Sequence, residues 1–420
     1  MGYILYVFLS DMGRTILKAA KKAEEMREYE MKITDVKTIC LRYPYETPIA
    51  DGCNVCTKRE SFLILVETDA GITGIGEAAT FGLPLSIYRE VADQIMKPLL
   101  VGEDPCIIER LSERLLWCCY AGGRKGIVRG VASAVDIALW DILGKVSGKP
   151  VYQLLGGSTR KVKAYASAGF YSPGKGLDGL KREMEGYLRQ GYRAFKIKVG
   201  RTCENRDRIV QYMPSQEMVI RQEEDLDRVR AVREVIGPEA CLMLDMNNTW
   251  GVDTVLQTAD FLEEMSIYAI EEPIRGDNIE GYRQIRGALK KTLIAGGEND
   301  QGLDRYQQVL SENMLDIVQA NLGWSGGFTE VRRIAAMCLE QGKVFAPHSF
   351  FSAVLTAANI HLAAALPNVR FIESEENPNP LRTELLTEPM ERDADMAYIL
   401  SDKPGLGIEL NWKTVNKFLV

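Results

Sequence analysis

The feature that most constrains this chain is a recurrence: three short apolar runs, each ending in a carboxylate, spaced by about one strand plus one helix. Cys241-Leu242-Met243-Leu244 ends in Asp245, Tyr268-Ala269-Ile270 in Glu271, and Leu293-Ile294-Ala295-Gly296-Gly297 in Glu298. That is the rhythm of a parallel barrel of βα units. Any one of these acids alone reads as a cap on the helix after its strand. Three in register would lie side by side at the same ends of successive strands, where their mutual repulsion needs a cation. Hard oxygen ligands with room for waters suit Mg²⁺.

Upstream, Ala194-Phe195-Lys196-Ile197-Lys198-Val199 carries lysines at alternate positions. Residues two apart in a strand share a face, so Lys196 and Lys198 project together into one space. Ammonium groups in an apolar strand are costly unless anions meet them. The carboxylates downstream are the candidates.

With 420 residues, 46% of them hydrophobic, the chain can bury a large core and is expected to form two domains. A net charge of -7 gives no basic footprint for nucleic acid or an anionic membrane. An anionic substrate would therefore need a local cation, which a metal and lysines supply. Nine scattered cysteines, an odd number, read as reduced thiols in a cytoplasm. The lone Cys53-Asn54-Val55-Cys56 motif has no second pair and reads as loop thiols before a zinc site.

In chain order, residues 1–30 read as an appendage outside the fold, with translation expected to begin at Met31. A capping α+β region follows over 31–155, with strands at 33–42 and 61–68 and turn glycines at Gly71, Gly74 and Gly76. The stretch 43–59 reads as a long loop over a site. Asp136 and Asp141, in a helical run of small and large apolar residues, read as hydrogen-bonded packing groups. After Gly156-Gly157 the strand-then-helix rhythm of a barrel occupies 156–379. Runs at 162–168, 194–199, 316–320, 343–348 and 370–374 join the three acid-ended strands to make eight. The polar stretch 201–222 is either a lid or a surface insertion, and 380–420 returns towards the first domain.

Only two histidines are present. His361 lies mid-helix among alanines and leucines and reads as packing. His348, after Pro347 at a strand end, stands on the predicted functional rim. Asp316 lies one unit earlier; it either begins its strand as a cap or accepts from the imidazole N–H, fixing the tautomer of His348 and raising its basicity.

With these residues placed, the chain from about Met31 onward resembles the enolase superfamily, specifically its mandelate racemase group. The resemblance rests on Lys196-Ile197-Lys198, Asp245-Met246-Asn247, Glu271-Glu272-Pro273, Gly297-Glu298-Asn299, Asp316 and His348, in that order. It implies a modified (β/α)7β barrel under an α+β capping domain closed by the C-terminal segment, in a homo-oligomer. It further implies that Asp245, Glu271 and Glu298 ligate one Mg²⁺, that Lys198 is a base and that Lys196 steadies the substrate carboxylate. His348 with Asp316 would be the acid or base on the opposite face, Glu373 would hydrogen-bond the substrate or its enolate, and Asn247 would lie among the substrate contacts.

Such a site suits removal of a proton from carbon beside a carboxylate, because metal and ammonium together stabilise the enediolate. Proximity to Lys196 and the metal is expected to lower the pKa of Lys198. The Pro347-His348 context and the tail Asn377-Pro378-Asn379-Pro380-Leu381-Arg382 favour an acid-sugar enzyme, which dehydrates an aldonic or aldaric acid to a 2-keto-3-deoxy acid. Racemisation and sugar-lactone cycloisomerisation stay open, as does, more distantly, a non-catalytic binding protein. Asn321-Leu322-Gly323-Trp324 departs from the family, whose members often carry Pro-Asp there, and Trp324 is expected to narrow the pocket.

Overall fold

The computed structural model describes residues 31–119, 121–208 and 218–420. The expected N-terminal appendage and the centre of the 201–222 stretch lie outside them.

The first region opens with three antiparallel strands, β1 (Ile33–Ala50), β2 (Val55–Thr68) and β3 (Thr73–Ala78), in that order across the sheet. Residues 43–59 are not the loop expected of them. Pairing of β1 with β2 runs from Ile33↔Thr68 out to Ala50↔Val55, with a register shift between Pro44 and Ile49. Tyr43, Tyr45, Thr47 and Ile49 place strand formers at every second position, and that period outweighs the polar residues between them. The tip of this hairpin is bridged to the barrel at Ala50↔Tyr171.

Gly71 has φ +72 and serves the expected turn, whereas Gly74 and Gly76 lie within β3 and serve close packing. A Cβ on either would fall 2.1 Å from Ala138 O or 1.9 Å from Ala134 O, so only glycine lets the helix Ile127–Ser147 rest on this strand. That helix is buried almost throughout, and its two aspartates hold neighbouring backbone. Asp136 Oδ1 accepts from Thr329 N (3.1 Å), and Asp141 accepts from Ile75 N (3.0 Å) and Leu406 N (2.8 Å).

A two-residue strand, β4 (Lys161–Val162), precedes the main sheet. Eight parallel strands then follow: β5 (Ala164–Ala168), β6 (Ala194–Lys198), β7 (Cys241–Asp245), β8 (Ile267–Glu271), β9 (Leu293–Gly296), β10 (Ile317–Val318), β11 (Val344–Phe345) and β12 (Ile372–Glu375). β12 pairs with β5, and a parallel bridge Phe345↔Val369 joins β11 to the lead-in of β12, so the sheet curls round on itself. Several strands are shorter than the apolar runs that announced them, because the runs continue into the loops of the carboxyl rim. The chain end returns to the first region: β13 (Tyr398–Ile399) pairs with β4, and Val420 N donates to Cys40 O at 3.0 Å. Among the described residues no helix is long and apolar enough to cross a membrane.

Alternation along the strands builds the barrel interior in layers. Tyr165, Ala194, Met243, Ala269, Ala295 and Ile317 form an apolar floor. Two residues further along, the same inward positions are Lys196, Asp245, Glu271 and Gln319. Phe195, Ile197, Leu242, Leu244 and Ile270 point outward and are fully buried in the main core. The apolar half of each strand thus forces the charged half to face the barrel mouth.

Candidate active site

The carboxyl ends of the strands converge as the sequence suggested. Asp245 and Glu271 are direct partners in the β7–β8 register, and Glu298 follows two residues after β9. Lys196 Nζ donates to Glu271 Oε1 (2.8 Å) and Oε2 (2.9 Å) and pairs with Glu373 Oε1 at 2.8 Å. Gln319 Nε2 donates to Glu271 Oε2 at 2.6 Å, and Lys198 Nζ contacts Asp245 Oδ2. Asn247 lies beneath the hairpin tip, its N–H donating to Asp245 Oδ1 (2.9 Å) and its Oδ1 accepting from Gly52 N (3.4 Å). Asn247, Asn248 and Glu272 all hold positive φ, a strained conformation concentrated where the loops leave β7 and β8.

The electrostatics show a surplus of negative charge. Burial pushes Glu271 up to about 8 against the pull of Lys196, and burial with Asp245 beside it pushes Glu298 up to about 7. Glu272 is driven well above the carboxylate range, first by burial and then by Glu298. Burial also works upward on Asp245 and Glu373, but Lys198 and Lys196 on the first, and Lys196 and His348 on the second, hold both below the usual carboxylate range.

For Lys198 the expectation joined Lys196 with a bound metal, and here Lys196 acts without one. Burial and Lys196 work downward, yet the Asp245 carboxylate against its ammonium holds its pKa above the ordinary lysine value. Among the described residues no three acidic, cysteine or histidine side chains already stand at metal-ligand spacing, because the two ammoniums lie between the carboxylates. The donor set itself fits a hard divalent cation: three buried carboxylates on adjacent strand ends, two of them raised towards neutrality by burial and by the acids beside them.

His348 follows β11 on the same rim, its Nε2 3.3 Å from Glu298 Oε2 and 3.6 Å from Glu373 Oε2, and it shares the Phe350 ring with Lys198. Burial holds its pKa below the ordinary histidine value. The ring stacks on Phe81 at 6.2 Å and meets Phe350 and Phe351 at 6.1 Å each. Trp324 packs on Phe81 at 5.3 Å and donates from Nε1 to Asn299 O at 3.2 Å, wedged between the first region and the barrel rim. Phe81, a site residue contributed by the first region, has no sequence context that marks it.

Asp316 is not in this group. It precedes β10, at the amino end of the barrel, where Arg286 Nη1 donates to its Oδ1 at 3.0 Å, Arg286 Nη2 to its Oδ2 at 3.1 Å, and Lys343 Nζ to Oδ1 at 3.2 Å. Strand parity explains the correction: Ile317 and Gln319 face inward, so Asp316 faces out, and the next inward position on the rim is Asn321. It is Asn321 Nδ2 that meets His348 Nδ1, at 2.7 Å. Counting by twos from Ile317 would have found it. His361 is a packing residue, with Nδ1 accepting from Tyr152 N at 3.1 Å and Nε2 facing Leu406 O at 3.1 Å.

Comparison with known proteins decides the family. Residues 33–156 match the mandelate racemase / muconate lactonizing enzyme N-terminal domain, and residues 179–414 match the enolase C-terminal domain-like family. The chain belongs to the enolase superfamily. Arabinonate dehydratase of Saccharolobus solfataricus is 34% identical to this superfamily member over 342 residues, 81% of this chain and 86% of that one. D-galactarolactone cycloisomerase of Agrobacterium fabrum is 31% identical over 403 residues, 92% and 99% of the two chains. L-talarate/galactarate dehydratase from Salmonella typhimurium LT2 superposes with a TM-score of 0.80 at 28% identity, covering 95% of this chain and 93% of that one. A mutant of that dehydratase is liganded with Mg and L-glucarate. These relatives make this enolase-superfamily protein a lyase-type enzyme.

Proposed function

We propose that this enzyme removes the proton α to the carboxylate of an acid sugar and expels the β-hydroxyl, giving a 2-keto-3-deoxy acid. The observation that carries the reading is the convergence of Lys196, Lys198, Asp245, Glu271 and Glu298 on one barrel mouth, with His348 Nε2 3.3 Å from Glu298. Asp245, Glu271 and Glu298 would hold Mg²⁺. Bound there, it would supply positive charge to the developing enediolate, and would compete with Lys198 for the Asp245 carboxylate.

The chain's own groups account for the rest. Lys196, fixed by Glu271 and Glu373, steadies the substrate carboxylate. Lys198, neutral, takes the α-proton onto Nζ. His348 presents Nε2 to the departing oxygen, and Asn247 and Trp324 bound the space around the sugar. None of the nine cysteines is in a disulfide, which suits a reducing compartment such as the cytoplasm.

A second reading has its own support. Phe81, Phe351 and Trp324 put apolar faces beside His348, which suits a cyclic sugar, and one relative opens the way to lactone chemistry. A Mg²⁺-supplemented panel of aldonic acids, aldaric acids and sugar lactones, read by semicarbazide detection of 2-keto acids, separates the two. Turnover of open-chain acids, lost in Lys198→Ala, is the expected result. Turnover confined to lactones would transfer the assignment to cycloisomerisation, and no turnover on any acid sugar would remove the reading.

A further inference from the structure

We infer that Asn321 locks His348 in the tautomer that carries its proton on Nε2, so that His348 serves this site as a hydrogen-bond donor and not as a base. The inference rests on the reading of His348 as a site residue given above.

Three contacts fix the arrangement. Gly323 N donates to Asn321 Oδ1 at 2.9 Å, so the amide oxygen is engaged by a backbone donor. Turning the amide over would set its NH₂ against that N–H, leaving two donors face to face and the oxygen without its partner. The NH₂ end therefore points at His348 Nδ1, 2.7 Å away, which must accept. A neutral imidazole that accepts at Nδ1 carries its hydrogen at Nε2. The far side of the ring agrees, since Glu373, which Lys196 keeps below the usual carboxylate range against its burial, has its Oε2 3.6 Å from Nε2 and can only accept. The backbone bridge Asn321↔His348 ties the two loops together, and Asn359 Nδ2 donates to His348 O at 3.2 Å, so the ring has little freedom to leave this geometry.

A carboxylate in place of Asn321 would do the reverse: it accepts from Nδ1–H and leaves Nε2 bare to take a proton. Asn321 is thus a positioning residue with a chemical consequence. Inversion at the α-carbon requires a base on each side of it, and a ring held with Nε2 protonated offers none on the His348 side. Elimination needs a base on one side only: the Nε2–H of the locked ring holds the departing oxygen by a hydrogen bond and keeps its proton, and the proton that Lys198 Nζ has taken from the α-carbon makes the departing hydroxide up to water.

The test is a long-range ¹H–¹⁵N correlation spectrum of the Mg²⁺-loaded protein labelled with ¹⁵N-histidine, in which only His348 and His361 contribute. The His348 signals are those missing in His348→Asn. A bare Nδ1 and a protonated Nε2 for His348, exchanging places in Asn321→Asp, is the expected result. A wild-type ring with Nδ1 protonated, alone or together with Nε2, would overturn the inference, and so would a pattern that stays the same in Asn321→Asp. If Asn321→Asp does not fold, Asn321→Leu, of similar size and with no donor for Nδ1, takes its place under the same criterion. The spectrum needs no turnover, so failure of the dehydratase reading and failure of the tautomer assignment are separate results.

Discussion

Glu77 grips Ser352 with both carboxylate oxygens, Oε1 accepting from its N–H at 3.0 Å and Oε2 from its hydroxyl at 2.6 Å. Ser61 Oγ and Leu355 N complete the set at 2.6 and 2.8 Å. This fully buried acid from β3 thus caps the helix Ala353–Ala365, which begins just after His348, and so couples the first region to the carboxyl rim. Glu77→Ala leaves four donors buried without an acceptor and is expected to cost about 3–5 kcal/mol. Glu77→Gln keeps the shape and costs less. Urea-unfolding midpoints read the difference, and a loss below about 1 kcal/mol for the alanine variant would show that the network is not structural.

Asp316 and His348 are predicted to behave as residues of different ends of the barrel. Asp316→Asn weakens the pairing with Arg286 and Lys343 and is expected to lower stability by about 1–2 kcal/mol while leaving kcat within about twofold. His348→Asn is expected to lower kcat by about 10²–10⁴ with little effect on the melting temperature. Equal losses of kcat in the two variants would mean that Asp316 acts at the site after all.

Metal binding is expected to release protons. Glu271 and Glu298, raised to about 8 and about 7, are partly protonated at neutral pH and must ionise to ligate. Affinity for Mg²⁺ therefore rises with pH between about 6 and 8, by up to about tenfold per unit for each proton displaced. Calorimetric titration in two buffers of different ionisation heat measures the release directly. Activity is expected to vanish on chelation and to return with Mg²⁺, and a pH-independent affinity would show that both carboxylates are already ionised before the metal binds.

The parts legible in the sequence were those written in local periodicity. The lysine pair, the three strand-end acids and His348 each sit where an apolar strand runs out, so alternation and spacing placed them on one rim. What escaped depended on parity or on contacts far apart in the chain. Asp316 looked like a partner for His348 because it lies near the right strand, but the one-residue offset turns it outward and leaves the contact to Asn321. Phe81 reaches the site from the first region, and the pKa of Lys198 depends on a carboxylate contact from the next strand. The hairpin through 43–59 was hidden by the prolines and charged residues set between Tyr43, Tyr45, Thr47 and Ile49, which mask an alternation that is there.

Asp136 gives the pH dependence of stability a testable source. Burial in the helix Ile127–Ser147 raises it to about 7, against about 3.9 in an unfolded chain. The folded state therefore holds this proton more tightly than the unfolded state, and stability falls as pH rises from about 4 to 7, then levels once both states are ionised. The full span corresponds to about 4 kcal/mol. Asp136→Asn keeps an acceptor for Thr329 N, 3.1 Å away, and removes the charge, so it is expected to match the wild type near pH 4 and exceed it near pH 8. His361, held down to about 4 by burial, contributes the opposite slope between about 4 and 6.5, but it does so equally in both proteins and cancels in the difference. Urea denaturation of the pair at pH 4.5, 6 and 8 reads that difference. Parallel curves would mean that Asp136 is ionised in the folded protein across the whole range.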